Sequence, residues 1–139
     1  MMSKITVETN INAPVQNVWE YFTKPEHITK WNFASDDWCS PRAENDLRVG
    51  GSFSYRMEAK DGSFGFDFGG TYDEVVPLER IAYTLGGDSN RKVVIVFESD
   101  GDKTHVTETF DPETINPEEM QRNGWQAILD NFKKHSESQ

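Results

Sequence analysis

Long apolar runs and cysteine pairs are missing from this sequence. No apolar stretch reaches the roughly 20 residues that a membrane-spanning helix requires, and Met1 to Ile5 lack the apolar core of a secretion signal. Cys39 is the single cysteine, so no internal disulfide can form. Together these absences predict a cytoplasmic protein that does not cross a membrane.

Basic residues are scarce as well. The chain has 14 Lys and Arg against 24 Asp and Glu, a formal net charge of -10. Such a chain repels phosphate backbones and anionic lipid surfaces, and its basic residues form no local cluster. Neither a nucleic acid nor a membrane is expected as a partner, and the sequence alone fixes no oligomeric state.

Motifs of metal, nucleotide and hydrolase chemistry are also missing. The three histidines, His27, His105 and His135, lack the short spacing of a metal pair, and no Cys-x-x-Cys accompanies them. The glycine pairs lack the spacing of phosphate-binding loops, and residues 62–65 do not form the elbow motif of serine hydrolases. We therefore expect no metal, no other cofactor and no nucleophilic catalysis.

Acid–base chemistry inside a cavity is the one enzymatic activity left open. Its candidates are Arg56, Asp67, Glu74 and His105, all on predicted strands. The pattern does not fix whether they face inward, and side chains of these types are mostly solvated or paired. None of them is assigned a catalytic role.

The stretch from Asn116 to His135 carries the strongest helix signal in a chain whose 139 residues fit one domain, 1–139. Asn116 is a candidate cap, and Pro117 suits the first helical position. Apolar residues recur there at three- and four-residue steps, namely Met120, Gly124, Trp125, Ile128, Leu129 and Phe132. A helix of about 20 residues spans roughly 30 Å, so its apolar face needs a sheet to cover it.

Alternating segments predict that sheet. Lys4 to Asn12 is a first strand, Pro14 opens a short helix, and residues 26–31 form a second one. Residues 32–45 lack periodicity and are predicted to be an aromatic loop. From Leu47 about five antiparallel strands follow, with a bulge or bend expected at Gly69-Gly70. Turn residues separate them at Asp61-Gly62, Pro77-Leu78, Gly86 to Asn90 and Asp100-Gly101. This layout predicts an α+β domain of two layers, in which a bent sheet and the long helix enclose a hollow.

The residues also resemble a known family along nearly the whole chain. The matching segments are Ile11-Asn12-Ala13-Pro14 with Val18-Trp19, His27 to Trp31, Asp46 to Phe53, Gly70-Thr71-Tyr72 with Pro77, Arg80 to Thr84, Lys103-Thr104 and Gly124-Trp125. In this order and spacing they are similar to the bacterial homologues of the heat-shock-protein-90 ATPase activator.

The resemblance implies the START-like helix-grip fold of the SRPBCC superfamily, in which a bent antiparallel sheet grips a long C-terminal helix over a cavity. Members of that superfamily hold lipids, hormones or polyketides there, and some are cyclases. Within these 139 residues nothing corresponds to the separate N-terminal chaperone-binding domain of the eukaryotic activators.

The aromatic residues make a ligand site the leading hypothesis. Ten residues are candidates for its wall, namely Trp31, Phe33, Trp38, Phe53, Tyr55, Phe66, Phe68, Tyr72, Trp125 and Leu129. We expect a binding protein that holds a small hydrophobic or aromatic ligand mainly by burial, with a stress response as a candidate context. The alternative is an interaction protein that modulates a heat-shock-protein-90-type chaperone ATPase, and a cyclase- or hydratase-like enzyme comes third.

Overall fold

The computed structural model describes residues 3–86 and 90–139, and seven strands and three helices are found in these residues. The elements are β1 (Ile5–Ile11), α1 (Val15–Thr23), α2 (Pro25–Ile28), β2 (Trp38–Asn45), β3 (Ser52–Ala59), β4 (Gly65–Val76), β5 (Arg80–Leu85), β6 (Lys92–Asp100), β7 (Lys103–Phe110) and α3 (Glu118–Glu137). The strands form one antiparallel sheet in the order β1-β7-β6-β5-β4-β3-β2. A curled sheet with one long C-terminal helix and two short helices confirms the predicted helix-grip fold.

Residue alternation decides which face of the sheet is buried. In β5, Ile81, Tyr83 and Leu85 are buried, while the residues between them are partly exposed. In β7 the even-numbered residues from 104 to 110 are buried in the same way. Successive side chains of a strand point to opposite faces, so these sets line the concave face toward α3.

The predicted turns lie where the chain reverses direction. Gly62 and Gly101 have positive φ angles of 78° and 64°, and Leu78 has a φ of 69°. Glycine adopts this left-handed conformation without the steric cost that other residues incur. The fourth predicted turn falls mostly on residues 87–89, outside the described residues.

The prediction of a loop over residues 32–45 is wrong for its second half. Residues Trp38–Asn45 form β2, which pairs with β3 at the edge of the sheet. The strand is irregular, since its register shifts between Cys39 and Arg42, around Pro41. Proline is tolerated on an edge strand at such a bulge, and the interruption removes the regular alternation on which the sequence argument depended.

The expected bulge at Gly69-Gly70 lies instead a few residues later in β4. The pairing of β4 with β3 runs unbroken through both glycines, and the register shift occurs against β5, between Tyr72 and Glu74. The glycines serve a close approach of the backbone, because a Cβ at Gly70 would lie 2.2 Å from the carbonyl oxygen of Thr84.

The start of α3 also differs from the prediction. Asn116 does not cap the helix: Pro117 occupies the cap position and no side chain there accepts a hydrogen bond. Gln121 holds the start instead, because its amide donates to the carbonyl oxygens of Glu113 and Asn116 and accepts from the Glu113 N–H. Met120, predicted on the apolar stripe, is 59% exposed.

The polar face of α3 closes the edge of the sheet at β1. Three of its side chains donate hydrogen bonds to carbonyl oxygens of that strand. The donors are Arg122, Gln126 and Lys133, and the acceptors are Thr6, Glu8 and Asn10. An edge strand exposes unpaired backbone groups, so these bonds both anchor the helix and protect β1 from pairing with another chain.

Candidate functional site

A cavity of about 270 Å³ lies between α3, the concave face of the sheet and the short helices. Its wall contains Phe22, Thr23, Trp31, Asn32, Tyr55, Met57, Phe66, Phe68, Tyr72, Ile81, Tyr83, Arg91, Glu108, Glu113, Trp125 and Ile128. A cavity of about 150 Å³ is enough to hold benzene, so this one has room for a molecule of about two rings. The space exists because a curled sheet and a straight helix contact each other at their ends more easily than in their middle.

Aromatic rings form most of the wall. The Trp125 indole, from α3, stacks on Phe110 with 3.9 Å between ring centroids, and Phe68 meets it edge-on at 6.0 Å. Phe53 lies behind Tyr55 and packs its ring on Tyr83 at 4.7 Å. These contacts hold the rings in place, so the wall is a preformed apolar surface.

The cavity continues into an open groove along α3. Trp38, Met120 and Gly124 line the groove, and it shares Phe66 and Trp125 with the cavity wall. Gly124 contributes no side chain, and a Cβ there would meet no atom within 4 Å. The groove thus gives a molecule in solution a path to the cavity.

Glu108 is the carboxyl group most deeply placed in this wall. It lies on β7 between Val7 of β1 and Ile95 of β6, and it is only 7% exposed. Burial in these apolar surroundings raises the pKa of the Glu108 carboxyl to about 8, because the charged form loses its hydration. At neutral pH the group is therefore mainly the uncharged acid.

Other polar groups in the wall differ in whether they have partners. The hydroxyl groups of Tyr55 and Tyr72 lie 3.5 Å apart, and the Asn45 amide lies 3.5 Å from Tyr72. Asn32, by contrast, is 7% exposed, and its Nδ2 has no hydrogen-bond partner among the described residues. Burial, together with the nearby Glu108, raises the pKa of the Tyr83 hydroxyl well above its usual value, so the phenol stays neutral.

Six of the ten residues proposed for a ligand site lie in the cavity wall, namely Trp31, Tyr55, Phe66, Phe68, Tyr72 and Trp125. The other four do not. Phe53 and Leu129 are buried in the core, Trp38 lines the outer groove, and Phe33 lies outside both. The alternation groups Phe53 with Tyr55, but only the curvature of the sheet decides which of the two rings reaches the cavity.

The four residues weighed for acid–base chemistry all lie outside the cavity. Arg56 lies within 4 Å of Asp67, and Arg80 donates a hydrogen bond to Glu74. His105 contacts Asn10 and Glu8 on β1. These are ion pairs and hydrogen bonds of the outer face, as expected for solvated strand residues.

Sequence reasoning missed Glu108, although a signal for it existed. In β7 it occurs at the same parity as Val106 and Phe110, so alternation alone would have placed its carboxyl group on the buried face. A charged residue type at an inward position of a strand is uncommon and marks a place to examine.

The histidines show a contact that their spacing could not reveal. His27 Nδ1 and His135 Nε2 are 2.9 Å apart, which joins α2 to the end of α3. Burial lowers the pKa of His135, and the neighbouring His27 adds to this. Within residues 3–86 and 90–139 no group of three or more metal-binding side chains is found, and none of the described helices could cross a membrane.

Comparisons with known proteins agree with the fold. The family model for activator of Hsp90 ATPase homolog 1-like proteins matches residues 12–137. The solution structure of an AHSA1-like protein from Aeromonas hydrophila is 43% identical, with a TM-score of 0.90 over 98% of this chain and 93% of that one. A protein from Cytophaga hutchinsonii is 52% identical, with a TM-score of 0.82 over 97% and 92%.

Two further comparisons set the limits of the likeness. The Aha1 dimer from Colwellia psychrerythraea is 17% identical, with a TM-score of 0.73 over 98% of this chain and 97% of that one, and shares the fold alone. None of the curated proteins matches the chain.

Proposed function

The chain belongs to the family of activator of Hsp90 ATPase homolog 1-like proteins, and from that premise we propose that it is a binding protein for a small hydrophobic or aromatic molecule, held in the cavity between α3 and the sheet. The cytoplasmic location stays a prediction from the sequence. The proposal extends the family assignment to a ligand class, which the family name does not specify.

The observation that carries the proposal is the unfilled aromatic cavity beneath α3. Protein interiors are normally packed to crystal-like density, and voids larger than a water molecule are few. Here large rings surround about 270 Å³ of space rather than filling it. A mainly apolar pocket with a few polar groups is the usual form of a small-molecule site.

Burial supplies the binding free energy in this proposal. Covering about 300 Å² of apolar surface at roughly 25 cal/mol per Å² contributes on the order of 7 kcal/mol, before the costs of association. The costs of association subtract from this sum, so a small aromatic hydrocarbon should bind with a Kd between roughly 10 μM and 1 mM.

Titration with isopropylnaphthalene, followed by backbone and indole N–H chemical shifts in NMR spectra, tests this binding. We expect one saturable site, with shifts concentrated at Trp125 and Trp31. Two wall variants should abolish it: Phe68→Asp places a charge in the wall, and Ile128→Trp fills the space without removing core packing.

The matched control is Phe64→Asp. Phe64 lies just before β4 and is 61% exposed, outside the cavity wall, so the same chemical change there should leave binding intact. Native mass spectrometry of freshly purified protein would reveal a retained ligand. Saturable binding that survives in both wall variants would contradict the proposal.

Modulation of a chaperone ATPase is the second candidate, and an exposed aromatic cluster favours it. Trp38, Phe64 and Phe66 have ring centroids about 6 Å apart, and the side chains of Phe64 and Phe66 are 61% and 38% exposed. Exposed apolar patches of this kind are typical of interaction surfaces. The family name points to the 90-kDa chaperone as the partner to test.

A further inference from the structure

Among the described residues the Glu108 carboxyl group has no hydrogen-bond or ion-pair partner, and burial alone accounts for its raised pKa. Between residues 3–86 and 90–139, no side chain or backbone N–H donates a hydrogen bond to its carboxyl group, and no cation lies within ion-pair distance of it. A buried polar group without a partner costs stability, about 1–3 kcal/mol for a neutral one. Such a cost is tolerated where a ligand completes the group, and Glu108 lines the cavity proposed here as the ligand site.

Asn32 supplies a second, independent observation at the same cavity. Its side chain is more than nine-tenths buried, and its Nδ2 lacks an acceptor. The indole N–H of neighbouring Trp31 is satisfied, since it donates to the carbonyl oxygen of Tyr21 at 3.0 Å. Of these two adjacent wall residues, Asn32 is therefore the one whose side-chain N–H groups lack an acceptor among the described residues.

The unpartnered groups share one chemical need. An amide nitrogen can only donate, and an uncharged carboxyl group has one proton to donate. Glu108 is in that uncharged form at neutral pH, because burial raises the pKa of its carboxyl to about 8. What both groups lack is therefore an acceptor.

We propose that the molecule bound in the cavity is uncharged and apolar and carries a carbonyl oxygen, and that Glu108 donates the hydrogen bond of its carboxyl group to that oxygen. This inference rests on the proposed binding function and adds the chemical class of the ligand. Asn32 offers a further donor to the same molecule.

A cationic ligand is the competing possibility, since the chain carries a formal net charge of -10. An ammonium group would require Glu108 to ionise, and both charges would then have to leave water for an apolar cavity. A carbonyl oxygen, by contrast, can accept a hydrogen bond from the uncharged acid without any change of charge. We therefore propose the carbonyl compound and include a cationic probe in the experiment as the competing possibility.

The other ionisable groups around Glu108 come from several elements. Tyr83 of β5, Tyr72 of β4 and Tyr55 of β3 are in the wall, and burial raises the pKa of all three hydroxyl groups. Arg91 and Glu113, which flank β6 and β7, are the remaining charged groups. From α3 the wall receives only Trp125 and Ile128, which do not titrate.

The test uses three probes that share a naphthalene ring and differ in its substituent: methyl naphthyl ketone, isopropylnaphthalene and naphthylethylamine. Each is titrated into the full chain and its binding is measured by calorimetry. Slightly below neutral pH the ketone should bind about three- to tenfold more tightly than the hydrocarbon, the range of one net hydrogen bond. Glu108→Leu should abolish this preference. Glu108→Gln should retain it, because the amide still donates.

The pH profile separates a donating acid from a merely structural role. In the wild-type protein the preference for the ketone should disappear as pH rises through about 8, because the carboxylate no longer donates. In Glu108→Gln the preference should not change with pH. Glu98→Gln, on the exposed end of β6 and outside the cavity wall, should behave like the wild type, which assigns the profile to Glu108.

Three results would overturn the inference. If the wild type does not prefer the ketone, or if Glu108→Leu keeps the preference, the ligand's carbonyl group is no longer supported, although apolar binding still is. Tighter binding of the amine than of the ketone, lost in Glu108→Gln, replaces the hydrogen bond by an ion pair. If isopropylnaphthalene itself does not bind saturably, the proposed function fails, and this inference fails with it.

Discussion

Replacing the Glu108 carboxyl group by an amide should change how stability depends on pH. Since burial raises the pKa of this carboxyl from 4.5 to about 8, the folded state holds a proton that the unfolded chain releases. The bound proton contributes its full share to the free energy of unfolding below about pH 4.5, and this contribution is lost as pH rises toward and through about 8. Glu108→Gln cannot ionise, so its free energy of unfolding should not fall for this reason.

The expected magnitude follows from the pKa difference. Each pKa unit corresponds to about 1.4 kcal/mol, so the wild type should lose about 3 kcal/mol between pH 4.5 and 7 relative to Glu108→Gln, and about 5 kcal/mol by pH 9. That is a large part of the stability of a domain of this size. We therefore expect Glu108→Gln to be the more stable protein at neutral and alkaline pH.

Urea denaturation at several pH values, followed by tryptophan fluorescence, measures the effect. The quantity to compare is the free energy of unfolding of Glu108→Gln minus that of the wild type, which should increase with pH. Glu98→Gln, on the exposed end of β6, is the matched control and should show a flat difference. A flat difference for Glu108→Gln as well would refute the reasoning, because it would mean that Glu108 ionises in the folded protein as easily as in water.

Two further predictions concern α3 and the outer surface. Trp125→Ala removes a ring stacked at 3.9 Å on Phe110 and should cost about 3 kcal/mol, which lowers Tm by roughly 10 °C in a calorimetric scan; a shift of only a degree or two would mean that Trp125 does not anchor α3. If the aromatic cluster docks on a 90-kDa chaperone, the wild-type chain should change the chaperone's ATPase rate and Phe64→Ser should weaken that effect. Ile128→Trp fills the cavity and leaves the three rings of the cluster in place, so it should leave the rate unchanged, and equal effects of both variants would argue against docking through the cluster.

The order of elements could be predicted because it depends on local patterns. The apolar stripe of Trp125, Ile128, Leu129 and Phe132 gives α3 its buried side, with Leu129 and Phe132 almost completely buried. Alternation in β5 likewise predicts its buried residues. Helix and strand geometry determine which residues share a face, so hydrophobic periodicity can be recognised in the sequence without knowledge of the tertiary contacts.

The tertiary structure decided what depends on distant partners. Residues 38–45 became β2 because β3 offers backbone groups to pair with, which no local pattern announces. Gln121, and not Asn116, forms the side-chain hydrogen bonds at the start of α3, because the segment around Glu113 folds back onto the helix.

The candidate site shows the same division. The sequence determined that aromatic residues and Glu108 share the inward face of the strands, because alternation fixes parity. Only the curvature of the sheet against α3 decided that Phe53 packs into the core while Tyr55 and Phe68 border an open space. That Glu108 has no partner among the described residues is likewise a property of the assembled structure, since a hydrogen bond forms only where groups from distant strands and helices come within about 3 Å of one another.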